Sequence, residues 1–274
     1  QQISSNGGMT NAYTSSFQTV YFFNAFNQNI KKIIDIFSRF FIDPLFNKDA
    51  VNKEIKAIHS EHTKNINNMF WRLFQIICNL SNPKKQLNKF GTGSLDSFNG
   101  NVRNDMIEFY KKYYTSDNMT ICIISNLKIK QQLELLKIFE NIPNKKATKY
   151  NIIKPFFCKE KYNYTIIPLK NTNDFVMIFE TEFKKDMFKN KYFDFIKFLL
   201  INNVNNTTMN TLIKNNIINN MNIELFDEGI FLIYFNCSKS INDNTIIKIL
   251  TTFYSHLNSI KNLNEKKITK IYNQ

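Results

Sequence analysis

The chain has 274 residues, of which 43% are hydrophobic and 15% aromatic, and a formal net charge of +14. That length suits one large domain or two of ordinary size, and the apolar content is enough to build real cores. Residues 33–46 form an apolar run broken by Asp35, Arg39 and Asp43, short of the roughly 18 residues a membrane-crossing helix needs, so no membrane partner is expected.

The positive charge is dispersed. Lys31-Lys32, Lys84-Lys85, Lys145-Lys146 and Lys266-Lys267 are isolated pairs in Asn- and Ile-rich sequence, which is the pattern of a solvated surface rather than a nucleic-acid stripe. No nucleic-acid partner is expected; a basic nucleic-acid-interaction module is the rival reading, and it requires strongly salt-dependent binding. Cys78, Cys122, Cys158 and Cys237 are far apart, with no C-x-x-C spacing. They read as buried thiols of a reducing compartment, which leans towards the cytoplasm. The sequence opens on Gln1 without a signal peptide, so upstream sequence is expected to precede it.

In chain order, residues 11–23 alternate Tyr13, Ser15, Phe17, Thr19, Tyr21 and Phe23 with their neighbours and read as strand. Ile30, Ile33, Ile34, Phe37, Phe40 and Phe41 share one face of a helix that Asp43-Pro44 ends. A long polar-faced helix is predicted over 49–80, stopped by Ser81-Asn82-Pro83. Gly91 and Gly93 mark a tight turn. Residues 102–114 are predicted helical, 119–125 a buried strand and 127–139 a helix. Residues 143–149 read as a linker. Strands follow over 164–169, 175–180 and 229–237, and helices over 192–200 and 245–257. The class is α+β, with mostly antiparallel sheets covered by helices, and the polar tail after Asn262 ends without a stop signal.

Glu54 and Glu61 lie seven residues apart on the predicted helix, so they stand nearly one above the other, about 10 Å apart along the axis. Such a pair suits a metal ligand and a carboxylate beside it, or equally an ordinary solvated acidic face. His59 and His62 are three apart, and H-S-E-H is neither H-E-x-x-H nor H-x-x-E-H. With His256 the only other histidine, no complete zinc site follows from a known pattern, and His59 and His62 read as polar helix residues. There is no Gly-rich phosphate loop, no G-x-S-x-G elbow and no cysteine with a marked histidine partner.

Three blocks, in order, resemble the insulinase (pitrilysin) family of zinc metallopeptidases. The first is Gly7-Gly8-Met9-Thr10-Asn11-Ala12-Tyr13-Thr14, followed by Tyr21-Phe22-Phe23 and residues 40–46. The second runs from Glu54 through Ser60-Glu61-His62 and Lys64-Asn65 to Trp71-Arg72-Leu73-Phe74-Gln75. The third is Asn82-Pro83-Lys84 with Lys89-Phe90-Gly91-Thr92-Gly93. The likeness is dense over 7–124 and thins to fold-level pattern after Lys145.

The resemblance implies two successive domains of one fold. Residues 1–145 would be the remainder of a catalytic domain, and 146–274 part of a similar non-catalytic one. It implies Zn2+ held by two His of an upstream H-x-x-E-H helix, which this chain lacks, and by Glu61. Glu54 matches the family's carboxylate beside that site. Asn11, Ala12 and Tyr13 match the edge strand that pairs with a bound peptide. Trp71 and Phe74 match aromatics of a side-chain pocket, and Thr92 a turn on the substrate side. The implied partners are peptide substrates and the N-terminal and C-terminal parts of the same protein. A Gly-rich acidic stretch of the family's second domain is replaced here by Asn202-Asn203-Val204-Asn205-Asn206-Thr207. A catalytically inactive peptide-binding or scaffold protein is the other alternative.

Overall fold

A computed structural model describes residues 2–15, 18–83, 90–146, 157, 163–181, 187–202, 207–226 and 229–264. The chain divides into two compact units, 1–153 and 154–274, and each is α+β.

The first unit begins with a short helix α1 (Gln2–Ser5) and a hairpin of β1 (Met9–Thr14) and β2 (Thr19–Asn24), antiparallel with Tyr13 opposite Val20 and Asn11 opposite Phe22. The single strand expected over 11–23 is therefore two. The Ser15 N–H bonds to Gln18 O at 2.8 Å and closes the turn between them. Gly8 is needed where the chain enters β1: a Cβ there would lie 2.4 Å from Asn24 O.

The helix α2 (Ile30–Ile42) buries Ile33, Ile34 and Phe37 as its spacing predicts. Phe23 of β2 meets Phe37 with ring centroids 4.8 Å apart, and Tyr21 meets Phe41 edge-on at 5.3 Å. The apolar side of the hairpin thus lies on α2, with Ile3 buried beside them.

The long helix expected over 49–80 is two, α3 (Lys48–Asn65) and α4 (Met69–Asn79). Asparagines cause the break. Asn68 turns to extended backbone and its side chain accepts from the N–H groups of Phe70 and Trp71 at 2.9 and 3.3 Å, satisfying donors that a helix start leaves unpaired. Asn47 caps α3 in the same way.

The next helix, α5 (Val102–Tyr113), is tied back to α2: Tyr110 donates to Phe41 O at 2.7 Å, and Tyr114, just past its end, shares a 2.6 Å hydroxyl contact with Tyr21. Burial, followed by that contact, raises the Tyr114 phenol above its ordinary range. The strand expected over 119–125 is not formed. No strand of the described residues pairs with it, and Ile124 is 94% exposed. The helix α6 (Ile129–Leu136) runs on into a 3-10 segment whose Phe139 meets Phe41 at 6.3 Å. Of the expected linker, residues 147–149 lie outside the described set.

The second unit holds a three-stranded antiparallel sheet in the order β3 (Asp174–Glu180), β5 (Ile230–Cys237), β4 (Ile218–Phe226). Its helices are α7 (Met187–Asn190), α8 (Tyr192–Ile201), α9 (Thr208–Lys214) and α10 (Asp243–Lys261). Met177 and Ile223 both stand opposite Ile233, and Phe175 and Met221 opposite Phe235. Because side chains alternate along a strand, these residues share one face, and they form the core with Leu200, Leu212, Ile249 and Phe253 from the helices.

The expected strand over 164–169 is absent, with Ile167 84% exposed. The sequence reading missed β4 and α9. Cys78 and Cys237 are buried, as expected, but Cys122 is exposed, and Cys158 lies outside the described residues. No helix of the described residues is long and apolar enough to cross a membrane.

Candidate functional site

The predicted site residues of the first unit fall on three elements: β1, the paired helices α3 and α4, and the turn at 90–95. Glu54 and Glu61 are both exposed on α3, and neither has an ion-pair partner among the described residues. Nor does any group of three His, Cys, Asp or Glu among those residues come together as a metal site. Glu61 can thus supply one free carboxylate to a metal, while the further ligands that a tetrahedral zinc needs are not assembled by these residues.

Glu61 sits between two histidines with other work. His62 places Nδ1 2.9 Å from Thr92 O and 3.2 Å from Thr92 Oγ1. A carbonyl oxygen only accepts, so Nδ1 of His62 carries the proton. His59 is the reverse: its Nδ1 accepts the Leu95 N–H at 3.3 Å, so its proton lies on Nε2. Both rings bind the 90–95 turn to α3. As sequence they are polar helix residues, and contacts 30 and 36 residues further on are not signalled by their spacing.

Trp71 and Thr92 are brought to the same place. The His62 ring stands edge-on to Phe90 at 5.2 Å, and Phe90 lies against Trp71 at 5.7 Å. Gly91 lets the turn settle on that indole. Phe74, three residues beyond Trp71 and half-buried, lies on the same side of α4 by helical geometry.

Asn11, Ala12 and Tyr13 are all exposed on β1, apart from the helix pair in sequence and element. Ser15 turns its N–H towards β2, so by the alternation of antiparallel ladders Tyr13, Asn11 and Met9 also face β2. Thr10, Ala12 and Thr14 then turn their backbone groups outward. Consistent with this, the Ala12 N–H is taken by the side chain of Asn11, with Oδ1 at 2.8 Å. Among the described residues, no strand covers that outer edge.

An apolar cavity of about 500 Å³ also lies in this unit, lined by Phe40, Phe46, Phe98, Met106, Phe109 and Tyr110 among others. It includes none of the predicted site residues.

Comparison with known families decides the kinship. The family model described as "Peptidase M16 inactive domain" matches residues 101–274, and the one described as "Insulinase (Peptidase family M16)" matches residues 1–84. The chain belongs to the insulinase family. A-factor-processing enzyme of Saccharomyces cerevisiae is 42% identical over 129 residues, 44% of this chain and 13% of that protein. Insulin-degrading enzyme of Homo sapiens is 32% identical over 181 residues, 62% of this chain and 18% of that protein. The chain spans less than a fifth of the length of these insulinase relatives. Among solved structures, pitrilysin superposes with a TM-score of 0.78 at 20% identity, covering 97% of this chain and 30% of that one. A protease from Helicobacter pylori gives 0.72 at 18%, covering 98% and 67%. These likenesses bear on the fold, which is that of the insulinase peptidases.

Proposed function

We propose that the protein to which this chain belongs is a zinc metalloendopeptidase that hydrolyses peptides in a closed chamber. The observation that carries the reading is Glu61, an exposed carboxylate without an ion-pair partner among the described residues, on the insulinase Ser60-Glu61-His62 motif beside the anchored 90–95 turn. Glu61 would hold Zn2+ together with two histidines outside this chain, and Glu54 would face the same site from two turns earlier on α3. When bound, such a zinc polarises a scissile carbonyl and lowers the pKa of a bound water.

The chain's own residues would bind and orient the peptide. The outward carbonyl of Ala12 and the outward amides of Thr10 and Thr14 on β1 offer main-chain hydrogen bonds to an extended substrate, as in β-augmentation. Trp71, Phe74 and the turn at Thr92 would form the wall against which one substrate side chain rests. On this reading residues 1–145 are the remainder of the catalytic domain and 146–274 part of the non-catalytic one; the second assignment is supported by the description of the family model over 101–274.

The test is the zinc content of the natural full-length protein and of its Glu61→Gln variant, with peptide hydrolysis measured beside it. About one zinc per chain, lost or strongly weakened by Glu61→Gln with loss of hydrolysis, is expected. Zinc held unchanged by Glu61→Gln overturns the ligand assignment. A wild-type protein with no zinc and no hydrolysis overturns the peptidase reading.

A further inference from the structure

We propose that His59 and His62 are positioning residues which set the peptide selectivity of the site by clamping the Thr92 turn onto α3. The inference rests on the peptidase reading above.

Among the described residues, the turn has little to hold its start. It begins Gly91-Thr92-Gly93, and its internal bonds lie at its far end, from the Ser97 N–H and Oγ to Ser94 O at 3.0 and 2.7 Å and from the Phe98 N–H to Leu95 O at 3.2 Å. Two imidazoles on successive turns of α3 hold the rest. His62 donates into its start, at the Thr92 carbonyl, and His59 accepts at its far end, from the Leu95 N–H. Opposite tautomers make this possible: a donor meets the acceptor at one end and an acceptor meets the donor at the other. Through Phe90, the His62 ring also fixes the plane of the aromatic stack that ends on Trp71. The two rings therefore fix the spacing between the Thr92 hydroxyl and the Trp71 indole. That spacing is the width of the wall a substrate side chain would meet. A helix that carries the candidate zinc ligand between these two rings keeps metal and wall in one register, so loosening the clamp changes which side chain fits without removing Glu61.

The clamp can be tested because asparagine places an amide nitrogen or oxygen where Nδ1 stands, one bond beyond Cγ. In the natural full-length protein, His62→Ala, His62→Asn, His59→Ala and His59→Asn are compared with wild type. Zinc content and kcat/KM are measured for a peptide series carrying Ala, Leu, Phe or Glu at each position in turn. At the one peptide position that meets the wall, His62→Ala is expected to shift the Phe-to-Ala ratio of kcat/KM by about tenfold, the lower end of what a one-methylene change of fit in an apolar pocket carries. Zinc content stays at the wild-type level, and His62→Asn and His59→Asn return most of the wild-type ratio. Selectivity ratios left unchanged by His62→Ala, or lost without recovery in His62→Asn, overturn the clamp while leaving the peptidase reading intact. If the wild type holds no zinc and cleaves nothing, the peptidase reading fails. The clamp is then read by hydrogen exchange at residues 91–95, which His62→Ala and His59→Ala must speed; unchanged exchange overturns it.

Discussion

Gly91 owes its place to the indole beneath it: a Cβ at this position would lie 2.5 Å from Trp71 Cζ3. Gly91→Ala must push the ring or lift the turn, and a destabilisation of about 1–3 kcal/mol is expected from such overpacking, measured as a lowered denaturation midpoint together with faster exchange over 90–95. His256 offers a second test at this scale. It bonds through Nδ1 to Thr208 Oγ1 at 3.0 Å, and burial lowers its pKa. The unfolded chain then binds the proton more readily than the folded one, so this stability is fully present above the ordinary histidine value and is lost as pH falls below it through the lowered folded value. The thermal midpoint of the second unit should fall between neutral and mildly acidic pH, and His256→Asn should flatten the fall. Of the site, Glu61, Trp71 and Thr92 were legible as residue types in a motif. The roles of His59 and His62 were not, because a hydrogen bond from a helix to a turn about thirty residues on leaves no periodic trace in the sequence.

Among elements, α2 was readable because its buried residues Ile33, Ile34 and Phe37 follow helical spacing within one segment. The single helix expected over 49–80 failed at Asn65-Ile66-Asn67-Asn68, where side-chain amides compete with the backbone for its own partners. Asn68→Ala should therefore cost about 0.5–2 kcal/mol and fray the first turn of α4, seen as faster exchange at Phe70 and Trp71. The strands read over 119–125 and 164–169 show the opposite failure. An apolar run states that a segment can be buried, but strand pairing needs a neighbour at hydrogen-bond distance, and no described strand lies beside either. β4 was missed because the bulge at Asn219 puts Ile218 out of step with the alternation of buried Met221 and Ile223 against exposed Asn220 and Asn222.

For the molecule as a whole, the core of the second unit is built around one strand. Every residue of β5 is matched by β4 on one side, and all but Cys237 by β3 on the other, and Phe235 is fully buried within that sheet. Phe235→Ala should cost roughly 3–5 kcal/mol, whereas Ile247→Ala, on the exposed side of α10, should stay within about 0.5 kcal/mol; chemical denaturation of the full-length protein separates the two. The hairpin of the first unit has a different fate. Among the described residues no strand pairs with its outer edge, and such an edge is a template on which a second copy can stack and begin an aggregate. The carboxamide of Asn11 already occupies the Ala12 amide, so a passing strand finds that donor taken and must evict it before the ladder can register.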